Sequence, residues 1–352
     1  MESTKALSGE ERGNKRALSE KTSIKISYME FILCLTIVLY HIGWNENLSG
    51  SENSRVVYMF IKEIGVAAVP MFSFLTGFLF YRNIRNIRDN FTKMKKRVRS
   101  LLIPYLLWNI LFYFLYGVVL ARFHFFEVDL SFLGFLKTFW NVITMPHLWY
   151  VRNVFLLALA SPIIYLTLRN RYVGIAVLGI CTLCLIIFHY QIKSSIFSGY
   201  LYLAGSFWGL HNAQILGGCK QERRRRLSEG REGKVLILAG ALVLFLLFWI
   251  IHYRIEFRLV RLVCQIGMGL SLWKILDVIP LKKHNFIHFS FWIYVLHHPL
   301  DKIGKWFYLR VTLQPFLYQF LVFSTSFAVA LGSGMIAKRF FPKLYKVLSG
   351  GR

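Results

Sequence analysis

Ten apolar stretches, each near the length a helix needs to cross a bilayer and each set off by polar or basic breaks, constrain this chain more than any other feature. Crossing the hydrocarbon takes roughly 20 apolar residues, because there a helix satisfies its own backbone hydrogen bonds without water. The stretches lie near 26–44, 58–80, 101–121, 148–168, 171–190, 196–216, 235–253, 259–279, 286–300 and 314–337. The expected fold class is all-α, a polytopic integral membrane helical bundle of about ten transmembrane helices. The ninth stretch is short and ends in His297, His298 and Pro299. Segment 127–145 is apolar and aromatic but carries internal charges, which predicts a helix lying in the outer interface.

The net charge of +26 could point to nucleic acid, but the Lys and Arg residues sit in short blocks between apolar runs, where they set topology instead. Connections 81–100, 217–234 and 280–285 carry most of them, together with both tails. An even number of spans with both termini cytoplasmic places every strongly basic loop inside. Residues 1–25 are polar, with no apolar core of a signal peptide, and read as a disordered basic cytoplasmic tail ahead of a transmembrane domain at 26–345. The run from Glu222 to Arg226 reads as a topology anchor. Trp44, Trp108, Trp140, Trp149 and Trp306 fall near span ends, as an interfacial aromatic belt requires. The five cysteines form no secreted disulfide framework; Cys181 and Cys184 make a CxxC in mid-span, where they act as small hydrophobes, and Cys219 lies in a basic connection.

Ionisable side chains in or beside spans are costly unless they meet a cavity or a partner, so they are the candidates for function. His41 closes the run FILCLTIVLYH at the outer end of the first span. Glu30 lies eleven residues earlier, about three turns back on roughly the same face. The competing view makes His41 an interfacial anchor and Glu30 a helix-start charge. His147 precedes LWYVR at the outer start of the fourth span with Arg152 about a turn deeper, and His297 and His298 end the ninth. Three spans thus deliver imidazoles, the usual general base near neutral pH, to one side. On the inner side FYRNIRNIRDN spaces Arg82, Arg85 and Arg88 every three residues. A helical continuation there lines up guanidinium groups suited to phosphates, or to anionic headgroups. No HExxH, GxSxG or Walker loop and no Cys/His cluster with metal spacing occurs, so no metal is expected.

These residues carry a resemblance. YMEFILCLTIVLYH, GVAAVPMFSFLTGFLFYRNIR, RVRSLLIPYLLWN, PHLWYVRNVFLL and SFWIYVLHHPL, in this order and spacing, are similar to the membrane-bound acyltransferase-3 family of bacterial envelope O-acyltransferases, from about Ser27 to Leu344. The resemblance implies a ten-span bacterial plasma-membrane enzyme that takes an acyl group, acetyl by family habit, from cytoplasmic acyl-CoA as co-substrate. It delivers that group to a hydroxyl of an extracytoplasmic or lipid-linked glycan, with no bound cofactor. His41 matches the family's essential first-span histidine, and Arg82, Arg85 and Arg88 lie in the loop whose arginines are thought to engage the donor. His147, Trp149, Tyr294 and His297 or His298 match recurring positions and, with Arg152, form the expected acceptor side. The chain departs at Glu30, where the family usually has arginine, and no extracytoplasmic SGNH-type domain of the kind fused to some members is expected. Lipid, a second copy or an envelope-synthesis protein are the further partners considered. The rival readings are a flippase for a lipid-linked sugar or acyl group, with the arginines on a pyrophosphate, and a non-catalytic partner of an envelope synthase.

Overall fold

The computed structural model describes residues 18–42, 52–119, 129–141, 145–188, 193–211, 231–308 and 314–351. The expected tail up to residue 17, Trp44 with the first outer loop up to residue 51, Cys219 and the arginine block at 222–226 lie outside these residues. The described residues are helical without strands. In chain order the helices are α1 (Glu20–His41), α2 (Glu52–Lys62), α3 (Ala68–Tyr81), α4 (Ile87–Arg97), α5 (Ile103–Phe114), α6 (Phe132–Asn141), α7 (Trp149–Leu159), α8 (Ser161–Leu168) and α9 (Arg171–Ile187). They continue with α10 (Ser194–His211), α11 (Arg231–Arg254), α12 (Arg258–Val278), α13 (Ser290–Tyr308), α14 (Pro315–Phe340) and α15 (Pro342–Leu348).

Each of the ten apolar stretches contains helix in its described residues. Among the described residues six helices are long and apolar enough to cross a membrane, or seven when the bent pair α7 and α8 is taken as one span. The other three stretches are α9, α10 and α13, which are shorter or more polar. The first helix starts at Glu20, so the last residues assigned to the tail are already helical. The interfacial segment contains α6, whose Phe132, Leu133, Leu136 and Trp140 are exposed, as a helix seated in a headgroup layer requires.

The chain divides into two compact units. The first takes α1 up to Ile32, then 67–90 and 161–284. Its centre is the α3–α10 pair, where small residues let two backbones meet, the packing that replaces the hydrophobic drive between helices in lipid. A Cβ on Gly205 would stand 2.1 Å from the Phe74 carbonyl, and one on Gly77 would stand 2.2 Å from that of Tyr202. Ser73 and Ser198 hydroxyls bond across the pair at 2.7 Å. Lys25, buried on α1, pairs with Asp277 on α12 and lies 3.7 Å over the Trp273 ring.

The second unit comprises 33–66, 91–160 and 285–352. Cys34 Sγ donates to the Ser290 carbonyl at 3.1 Å, and Gly65 lets the chain after α2 approach the Thr36 carbonyl of α1. Trp108 corrects the aromatic-belt expectation: it is 3% exposed, stands edge-on to Trp292 and donates to the Leu348 carbonyl at 3.0 Å. An indole whose N–H finds a protein carbonyl has no need of the interface.

Candidate functional site

Three segments of the second unit bring four imidazoles together. His41 ends α1, His147 sits in the 3-10 turn Pro146–Leu148 that leads into α7, and His297 and His298 are consecutive on α13. Ring centroids lie 4.8 Å apart for His147 and His297, 5.2 Å for His147 and His298, 5.2 Å for His41 and His297, and 6.0 Å for His41 and His298. His147 and His297 are enclosed, whereas His41 and His298 are half-buried, so the cluster has a closed inner side and an open rim.

Backbone carbonyls set the tautomers of the inner pair. His147 Nε2 lies 3.1 Å from the Val295 carbonyl, and His297 Nδ1 contacts the Tyr294 carbonyl one turn back. A carbonyl can only accept, so each of these nitrogens carries the hydrogen. The remaining nitrogens, Nδ1 of His147 and Nε2 of His297, are buried and without a hydrogen-bond partner, and in the neutral ring each is an acceptor. Tyr294 closes the arrangement, its hydroxyl donating to the His147 carbonyl. The expected site residue Tyr294 is thus a brace holding the 146–148 turn against α13.

The remaining expected residues are placed differently. Trp149 is half-buried beside Tyr150. Arg152 donates to the Trp140 carbonyl and to Asn153 Oδ1 and faces the Trp140 ring, so it secures the interfacial helix α6. Glu30 and His41 share the unbroken helix α1, and eleven residues of rise separate them by about 16 Å, too far for the carboxylate to touch the imidazole.

The arginine row is corrected outright. Helix α3 stops at Tyr81 and α4 starts at Ile87, so Arg82, Arg85 and Arg88 do not share one helical face. Asn86 Oδ1 accepts from the Asp89 N–H at 3.0 Å while Asp89 Oδ2 accepts from the N–H groups of Arg85 and Asn86 at 2.7 and 3.2 Å. This is a reciprocal capping box, and it begins a new helix inside the triplet. Arg82 is buried at the end of α3, Arg85 is exposed in the turn with its carbonyl accepting from Tyr165 at 2.8 Å, and Arg88 is exposed in the first turn of α4. The signal was present in the sequence as Asn-Ile-Arg-Asp, N-cap to N3.

Two further residues escaped the sequence reading. Pro299 lies inside α13, which runs on to Tyr308 instead of stopping at the histidines. Asp301, four residues after His297, is buried beside Ser326, with Tyr58 and Tyr318 in its surroundings. Its position one turn beyond a His-His pair was the available clue. Among the described residues no group of three or more His, Cys, Asp or Glu is arranged to hold a metal ion.

The helices and this cluster define a multi-pass membrane protein with a buried imidazole centre. Its chain belongs to the acyltransferase-3 family, whose model, described as an acyltransferase domain, matches residues 24–335 and so spans α1 through most of α14. The protein is accordingly an acyltransferase of groups other than aminoacyl groups. It is 21% identical over 364 residues to the succinoglycan biosynthesis protein ExoH of Rhizobium meliloti (strain 1021), with 95% of this chain and 94% of that protein covered. No solved structure matches the chain.

Proposed function

We propose that the protein is an O-acyltransferase of the bacterial plasma membrane that crosses it ten times with both termini inside, and that it moves an acyl group, acetyl first among the candidates, from cytoplasmic acyl-CoA to a hydroxyl of an envelope glycan. The observation that carries the reading is the four-imidazole cluster inside the matched domain, with buried, unpartnered ring nitrogens on its inner side and two rings at its rim. The relation to a protein named for succinoglycan biosynthesis supports a glycan as the acceptor.

His41, at the rim, takes the proton from the acceptor hydroxyl as its oxygen attacks the thioester carbonyl. The tetrahedral intermediate collapses with loss of the C–S bond, an ester forms, and the CoA thiolate leaves and collects a proton. A hydroxyl is a weak nucleophile at neutral pH, and a positioned base contributes about 10²–10⁴-fold in such a step. Enclosure of His147 and His297 keeps water off the thioester. Arg85 and Arg88, exposed around the capping box, are the contacts for the CoA phosphates.

The test is a thiol-release assay on the purified full-length protein in liposomes, offered labelled acetyl-CoA or succinyl-CoA together with envelope glycan. Free CoA thiol appearing in step with label in the glycan supports the reading. Movement of glycan across the bilayer with every thioester intact overturns it in favour of a flippase.

A further inference from the structure

Helix α13 runs nine residues past Pro299, to Tyr308, although proline has no N–H to give the helix. The carbonyl left without its helical partner is the one four residues back, Val295. That same carbonyl holds His147 Nε2 at 3.1 Å. The neighbouring residue supplies a second bond in the opposite sense, Tyr294 hydroxyl to His147 carbonyl, so the segment bearing His147 is pinned to α13 at two adjacent residues. With Nε2 committed as a donor, His147 Nδ1 is a lone pair enclosed in the cluster, its ring 4.8 Å from that of His297 and stacked 5.2 Å from that of His298.

We infer that Pro299 is a positioning residue for acyl transfer: by withholding an N–H it reserves the Val295 carbonyl for His147, which fixes His147 as the Nε2–H tautomer and makes its Nδ1 the inner proton acceptor of the cluster. The inference rests on the acyl-transfer reading above. The proton that leaves the acceptor hydroxyl enters the cluster at His41, is held with His147 Nδ1 as its inner site, and returns to the thiolate sulfur of CoA as the C–S bond breaks. No net proton is gained or lost by the protein over the cycle. An N–H at position 299 competes for the Val295 carbonyl, releases Nε2 and lets the ring exchange tautomers, so the acceptor lone pair is no longer held in place.

Two measurements on the full-length protein in detergent micelles test this. Nitrogen-15 NMR of histidine-labelled protein, with the His147 signals assigned from their loss in His147→Gln, reads the tautomer without any substrate. The expected wild-type pattern is a pyridine-type Nδ1 and a pyrrole-type Nε2, and in Pro299→Ala a mixture of the two forms. In the transfer assay His147→Gln keeps a donor for the Val295 carbonyl but has no basic lone pair. It is expected to keep its thermal midpoint while kcat falls about 100-fold, and Pro299→Ala to lose about tenfold in kcat with KM unchanged. A protonated Nδ1 in the wild type, an unchanged tautomer in Pro299→Ala, or wild-type kcat in His147→Gln overturns the inference. Wild-type protein that transfers nothing from any acyl-CoA removes the acyl-transfer reading instead, while the NMR pattern still decides whether Pro299 sets the tautomer.

Discussion

At the imidazole centre the anchors are backbone carbonyls with buried partners: Val295 holds His147, Tyr294 holds His297, and the Tyr294 hydroxyl holds the His147 carbonyl. In the arginine segment the ordered part is the turn, through Asn86 and Asp89, on which Arg85 and Arg88 are exposed. The first plan holds ring nitrogens through backbone hydrogen bonds, the positioning that a proton transfer needs. The second presents charge on long side chains above a rigid base, which suits a flexible, hydrated polyphosphate. The contrast teaches that substitutions at the centre should act on turnover and those in the segment on donor affinity.

Four variants break or sharpen that contrast. The largest effect is expected from Gly205→Leu, whose side chain meets the Phe74 carbonyl at 2.1 Å from its first carbon. It should cost at least about 3 kcal/mol and abolish folded protein in size-exclusion chromatography, because α3, which ends at the arginine segment, packs there. His297→Ala should lower kcat about 100-fold with KM for acyl-CoA unchanged. The double variant Arg85→Ala/Arg88→Ala should raise that KM about tenfold at low salt, with kcat unchanged and the difference shrinking as salt screens the phosphates. Asp89→Ala removes one half of the capping box and should cost about 1 kcal/mol, lowering the thermal midpoint by a few degrees in calorimetry with a small rise in KM.

The helical class and the apolar helices are legible because apolar length and periodicity are strong signals, and the lipid environment leaves the backbone no alternative to helix. The meeting of His41, His147 and the His297–His298 pair is legible too, since each imidazole stands at the end of an apolar stretch. In the arginine row three-residue spacing alone reads as helix, whereas the Asn86 and Asp89 side chains compete with helical continuation for the backbone N–H groups. Arg152 was counted toward the site by its position in the span, but its partner Trp140 lies on α6, a contact set by tertiary packing that no local spacing encodes. In sequence Pro299 reads as an end of helix. In the fold the Val295 carbonyl, which proline leaves without a helical donor, meets His147 Nε2, and this offsets the lost hydrogen bond.

The central claim is that the imidazole cluster performs the transfer, and His41 at its rim is the residue that meets the acceptor. The direct test is labelled acyl transfer from acyl-CoA into envelope glycan by membranes holding equal amounts of wild-type or His41→Ala protein. The account predicts transfer by the wild type and a loss of at least about 100-fold in the variant. Equal transfer by the two would contradict it.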